Sequence, residues 1–125
     1  MEPASGRNNR GMRFALALLA AVVFMVGCGS SSDPQKQAEE LQSIAAEGAL
    51  LAHAAAEGGT TDRFTRAHGD ALGKRLDSLT PTLDDEQLAA LAKNVGSALD
   101  RVPTDPERAE HALERQADAA ERLAG

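Results

Sequence analysis

The chain has no tryptophan, no tyrosine and one cysteine, and its aromatic complement is three phenylalanines. Each scarcity excludes something. A lone cysteine leaves no partner for a disulfide within the chain, so a fold of this size must stand on packing alone. It also excludes the paired-cysteine metal motifs. Phe14 and Phe24 fall in an amino-terminal apolar run, so only Phe64 remains to fill a core further along. Alanine and leucine must supply the rest, which favours thin, closely approaching helices over a sheet. No segment alternates apolar and polar residues over a useful length, so no strand is expected. Removing Phe64 from such a core is expected to cost roughly 3–5 kcal/mol.

Positive charge is also in short supply beyond the amino terminus. The net charge is −6 over 125 residues. Residues 1–27 hold Arg7, Arg10 and Arg13 against Glu2, a net +2, so the other 98 residues carry −8. An acidic body is repelled by phosphate backbones and by anionic lipid. Nucleic acid is therefore not an expected partner, and neither is a membrane face on which the body lies flat. The length suits a single domain, and 98 residues bury roughly 60–65% of their unfolded surface.

What is present at the start is a leader. Arg7, Arg10 and Arg13 precede an unbroken apolar run from Phe14 to Val26, followed by Gly27 and Cys28. A basic segment, an apolar segment and a small residue before a cut form the grammar of an export signal. The run is short for a bilayer span, which needs about 20 residues. Either Met1 or Met12 could start translation, and Met12-Arg13 gives the more compact signal.

Met25-Val26-Gly27-Cys28 resembles a bacterial lipobox, with Met25 where leucine is usual. The resemblance to bacterial lipoproteins implies a diacylglyceryl thioether on Cys28, cleavage before it, and acylation of the new amino terminus by a fatty acid of the palmitate kind. The alternative is an ordinary free cysteine. Residues 28–33 then read as a lipidated cysteine and flexible tether, since Gly29-Ser30-Ser31-Ser32 lacks side chains that could pack. Gly29 is not the aspartate that resembles an inner-membrane retention signal. The expected location is the cell membrane or the outer membrane, facing the periplasm or the exterior. The stretches Ala45-Ala46-Glu47-Gly48 and Phe64-Thr65-Arg66-Ala67-His68 are similar to alanine-rich lipoproteins of high-GC bacteria. That likeness brings no activity and no site residues.

Residues 34–125 read as an all-α domain, a small antiparallel bundle of about four helices. Asp33-Pro34 and Asp105-Pro106 are cap-plus-proline starts. Gly58-Gly59 closes the first helix, Thr60-Thr61-Asp62 opens the second, and Thr80-Pro81 ends it. Thr82-Leu83-Asp84-Asp85 opens the third with acids in its first turn, and Pro103 stops it. The seams step by three and four: Leu41, Ile44, Gly48, Leu51 and Ala55; Leu88, Ala92, Val95, Leu99 and Val102; Ala109, Leu113, Gln116, Ala120 and Leu123. That spacing packs helices at about 20°, and short connections make neighbours antiparallel. The first helix is apolar on nearly every side from Ile44 to Ala56. Either it sits centrally, or Leu50 and Ala46 form a contact surface.

The second helix places Phe64, His68, Leu72, Arg75 and Leu79 on one side. One reading is a polar pocket in which Arg75 clamps an anion beside His68, with Gln116 as a further inward polar group. The other is structural: Arg75 reaches the edge and pairs with Glu47 or Glu40, because an unpaired buried charge is very costly. No Glu-x-x-His pair, His-Glu-x-x-His motif or carboxylate loop marks a metal site, and no Gly-x-Ser-x-Gly or phosphate loop marks catalysis. The fourth helix carries an acidic ridge of Glu107, Glu110, Glu114, Asp118 and Glu121. Arg108, Arg115 and Arg122 recur every seven residues beside it. Such ridges either face solvent or select a partner helix. The expectation is a non-enzymatic interaction or structural module of the cell envelope with no cofactor and no metal, tied to the membrane by lipid and meeting an envelope protein. The alternative is a small-ligand or anion-binding bundle.

Overall fold

The computed structural model describes residues 33–125. The expected leader, Cys28 and the expected tether lie outside the described residues. Helices α1 (Pro34–Ala56), α2 (Asp62–Leu79), α3 (Glu86–Arg101) and α4 (Pro106–Ala124) follow in order, with a 3-10 turn at Thr80–Thr82. There is no strand among the described residues, so the all-α expectation holds.

Each helix starts where a side chain can satisfy its free backbone donors. Gln35 N donates to Asp33 Oδ1 at 3.0 Å and Phe64 N to Thr61 Oγ1 at 3.1 Å. Asp85 Oδ1 accepts from both Gln87 N, at 2.8 Å, and Leu88 N, at 3.2 Å. Asp105 Oδ1 accepts from Arg108 N at 3.4 Å. Pro34 and Pro106 occupy first-turn positions that need no donor. Gly58 ends α1 with φ at +74°. Gly58 N donates to Ala55 O and Gly59 N to Ala54 O, at 3.2 and 2.8 Å, the pairing of a Schellman stop.

The helices pack antiparallel. Along α1 and α4, Gln42 meets Glu121 and His53 meets Glu110. α1 packs against all three other helices, as a helix with few polar faces must. Leu41, Ile44, Leu72, Val95, Val102 and Leu113 are fully buried at the centre. Gly48 marks the closest approach: a Cβ there would stand 2.8 Å from Leu99 Cδ2 and 3.1 Å from Leu113 Cδ1. The absent side chain thus lets α1 come down onto α3 and α4 together.

Two expectations about packing are corrected. Phe64 does not fill the core; it is 52% exposed and stacks on His68 with ring centroids 5.6 Å apart. The buried side of α2 runs through Thr65, Leu72 and Leu76, which turns its first half by one residue, about 100°. A core built on alanine brings helices too close together to admit a ring. Leu123, placed in the seam of α4, is 39% exposed near the end of that helix.

Candidate functional site

Arg75 is the best-defined ionic feature of the body. From α2 it reaches across to α1, donating through Nη1 to Glu47 Oε2 at 2.7 Å and through Nη2 to Glu40 Oε2 at 3.2 Å. Glu40 and Glu47 lie seven residues apart, on one side of α1, so a single guanidinium spans both. All three side chains keep water contact: Arg75 is 37%, Glu47 43% and Glu40 25% exposed. Solvent screening holds such a bridge to about 1 kcal/mol or less. Geometrically this is the edge pairing, not an anion clamp.

His68 and Gln116, the other two candidates for a ligand pocket, sit elsewhere. His68 is half-buried under the Phe64 ring, two turns before Arg75 on α2. Gln116 is half-buried on α4, which packs on α1 and α3. Among the described residues, neither the groove between α2 and α3 nor the groove between α1 and α4 is lined by His68, Arg75 or Gln116. Cys28, the expected lipidation site, lies outside the described residues.

Polar residues that sequence reasoning passed over hold the body together. Gln37 is buried at the start of α1, and its Nε2 donates to Thr82 O at 3.0 Å, pinning the turn after α2. Thr65 Oγ1 donates to Thr61 O at 3.0 Å and lies 2.8 Å from Thr60 Oγ1. Burial of a glutamine this early in a helix leaves no mark in sequence. Thr65 was within reach, because the three- and four-residue steps that find Leu72 and Leu76 also lead back to it.

His53 lies between two carboxylates. Its Nδ1 is 3.0 Å from Glu110 Oε2 on α4, and its Nε2 is 3.3 Å from Glu57 Oε2. Both contacts are donor bonds only on a protonated ring. The ring is half-exposed, so this is a surface clasp between α1 and α4. His111 meets Glu114 at 3.5 Å. Among the described residues no group of three His, Cys, Asp or Glu side chains is placed to hold a metal ion. No described helix is long and apolar enough to cross a membrane.

The remaining feature is apolar. Leu50 is 71% exposed near the middle of α1, and Ala46 one turn before it is exposed as well. α1 is thus both central and a surface: one side is buried among its neighbours and another faces out. With Ala49, His53, Glu110, Glu114, Arg115, Ala117 and Asp118 these residues form the groove between α1 and α4. No family model, no curated protein and no solved structure matches the chain.

Proposed function

We propose that the chain is a lipid-anchored protein of the bacterial cell envelope whose helical body is a non-catalytic interaction or structural module. The observation that carries the interaction half is Leu50. Leu50 is 71% exposed on the central helix and shares a groove with the exposed Ala46, and exposed apolar surface marks contact sites when it is contiguous. The polar contacts between elements support the same reading, since Arg75 at the edge and the buried Gln37 join α1 to its neighbours.

The anchor rests on Cys28 behind Met25-Val26-Gly27. Each buried methylene contributes about 0.8 kcal/mol; one acyl chain holds marginally and two or more hold firmly. With −8 on the remaining chain, anionic lipid repels the body, so the acyl chains must hold it against that repulsion. Wild type and Cys28→Ala, expressed in a bacterial host, are to be compared by membrane fractionation and by mass spectrometry of the amino terminus. The expected mature protein starts at Cys28 and carries the mass of the acyl groups, whereas Cys28→Ala lacks both and leaves the detergent-dependent fraction. An unmodified Cys28 with the leader still attached sinks the anchor.

A further inference from the structure

The groove between α1 and α4 has a composition that selects an occupant. Its volume is about 890 Å3. Ala46, Ala49 and Ala117 line it with side chains no larger than a methyl, and Leu50 stands among them. Glu110, Glu114 and Asp118 line it from α4 with Arg115, and two histidines share the lining: His53, 3.0 Å from Glu110, and His111, 3.5 Å from Glu114. We propose that this groove takes an amphipathic helix of a partner protein, one with an apolar stripe for Leu50 and the alanines and lysine or arginine along its flanks.

Two observations point to that chemistry. Alanine walls let a third helix approach α1 and α4 as closely as the helices of the body approach one another, and a helix in an apolar groove is a common recognition mode. Carboxylates outnumber guanidinium groups at the groove, so cationic flanks on the guest meet complementary charge. The same arithmetic disfavours a second copy of the chain. A two-fold contact through Leu50 sets Glu110, Glu114 and Asp118 of both copies around one apolar patch, and like charges at a contact act as negative selection. Anionic lipid is disfavoured for the same reason.

This surface deepens the interaction reading and rests on it, but it does not depend on lipid at Cys28. The test uses the full chain in phosphatidylcholine nanodiscs, with empty nanodiscs as background. The probes are two synthetic amphipathic helices of about 18 residues, a length of roughly 27 Å at the helical rise. Both carry the same leucine–alanine stripe, one with lysine flanks and one with glutamate flanks, and binding is read by fluorescence anisotropy. The lysine peptide is expected to bind and the glutamate peptide not. Leu50→Gln and the pair Glu114→Lys with Asp118→Lys are each expected to weaken binding about tenfold, or 1.4 kcal/mol. The pair Asp70→Lys with Asp77→Lys changes the net charge equally on α2 and is expected to stay within about twofold. Three results overturn the proposal: equal loss in the α2 pair, which reduces binding to bulk charge; no loss in Leu50→Gln; or self-association through Leu50 in sedimentation equilibrium, which makes the occupant a second copy. Unlipidated Cys28 in mass spectrometry strikes the anchor alone, so the two failures are distinguishable.

Discussion

Glycine in the middle of a helix is a cost, and α1 and α2 carry it for different reasons. At Gly48 an added methyl meets Leu99 and Leu113 inside contact distance, while at Gly73 it meets nothing within 4 Å. Alanine gains about 1 kcal/mol of helix propensity at either position. At Gly73 that gain stands alone, so Gly73→Ala is expected to stabilise by about 0.5–1 kcal/mol. At Gly48 overpacking of about 1–3 kcal/mol opposes it, and Gly48→Ala is expected to destabilise by about 1 kcal/mol net. Urea midpoints of the two variants moving in opposite directions would confirm that Gly48 sets the helix spacing. The aromatic comparison is equally direct. Leu41 is fully buried and Phe64 half out in water, so Leu41→Ala is expected to cost about 2–5 kcal/mol and Phe64→Ala at most about 1 kcal/mol. A larger loss at Phe64 than at Leu41 would contradict the packing. Burial of single residues was the hardest thing to read in the sequence, because size invites the guess that the one phenylalanine among the described residues fills the core. Here the spacing set by alanine and Gly48 overrides size.

At the scale of elements, boundaries were legible because they depend on local chemistry. Asp-Pro, Thr-Thr-Asp and Gly-Gly each act on backbone donors, acceptors or φ angles within a few residues, and the helices begin and end at them. The caps are nevertheless unequal. Asp85 accepts two short hydrogen bonds, at 2.8 and 3.2 Å, whereas Asp105 accepts one at 3.4 Å. Asp85→Ala is therefore expected to cost about 1–2 kcal/mol and Asp105→Ala about 0.5 kcal/mol, measured by thermal or urea unfolding followed by circular dichroism. Equal losses would mean that bond geometry does not distinguish them. Orientation was less legible than extent. The seams of α1 and α3 face inward as their apolar periodicity requires, but α2 offers Thr65 and Gly69 where a strong seam has leucine. Phe64 and His68 therefore look like its inner face until neighbouring helices decide the rotation. A stripe with His68 and Arg75 both pointing inward needs the unrotated α2; in the observed rotation Arg75 takes the edge pairing with Glu47 and Glu40. Leu50 and Ala46 could be found because they depart from a periodicity that was otherwise clear.

For the whole molecule the open question is which electrostatic effect dominates. Beyond residue 27, 18 acidic side chains face 10 basic ones, and among the described residues the ion pairs that oppose this imbalance are few and wet. Arg75 with Glu40 and Glu47 is the best connected, and even there the arginine side chain is more than a third exposed. Arg108 with Asp105, at 3.6 Å, is more exposed still. Pairs of this kind contribute at most about 1 kcal/mol each. Uncompensated charge, by contrast, acts between every pair of carboxylates within a screening length of about 10 Å at 0.1 M salt, in a body small enough that many lie within it. Self-repulsion should therefore win. Raising sodium chloride from about 20 to about 200 mM, which shortens the screening length roughly threefold, is expected to raise the melting temperature. Arg75→Gln removes one cation and two favourable contacts together, so its melting temperature should start lower and climb more steeply with salt. If the wild-type melting temperature fell with salt instead, the ion pairs would outweigh the repulsion, and the Arg75 bridge would have to be far stronger than its exposure allows.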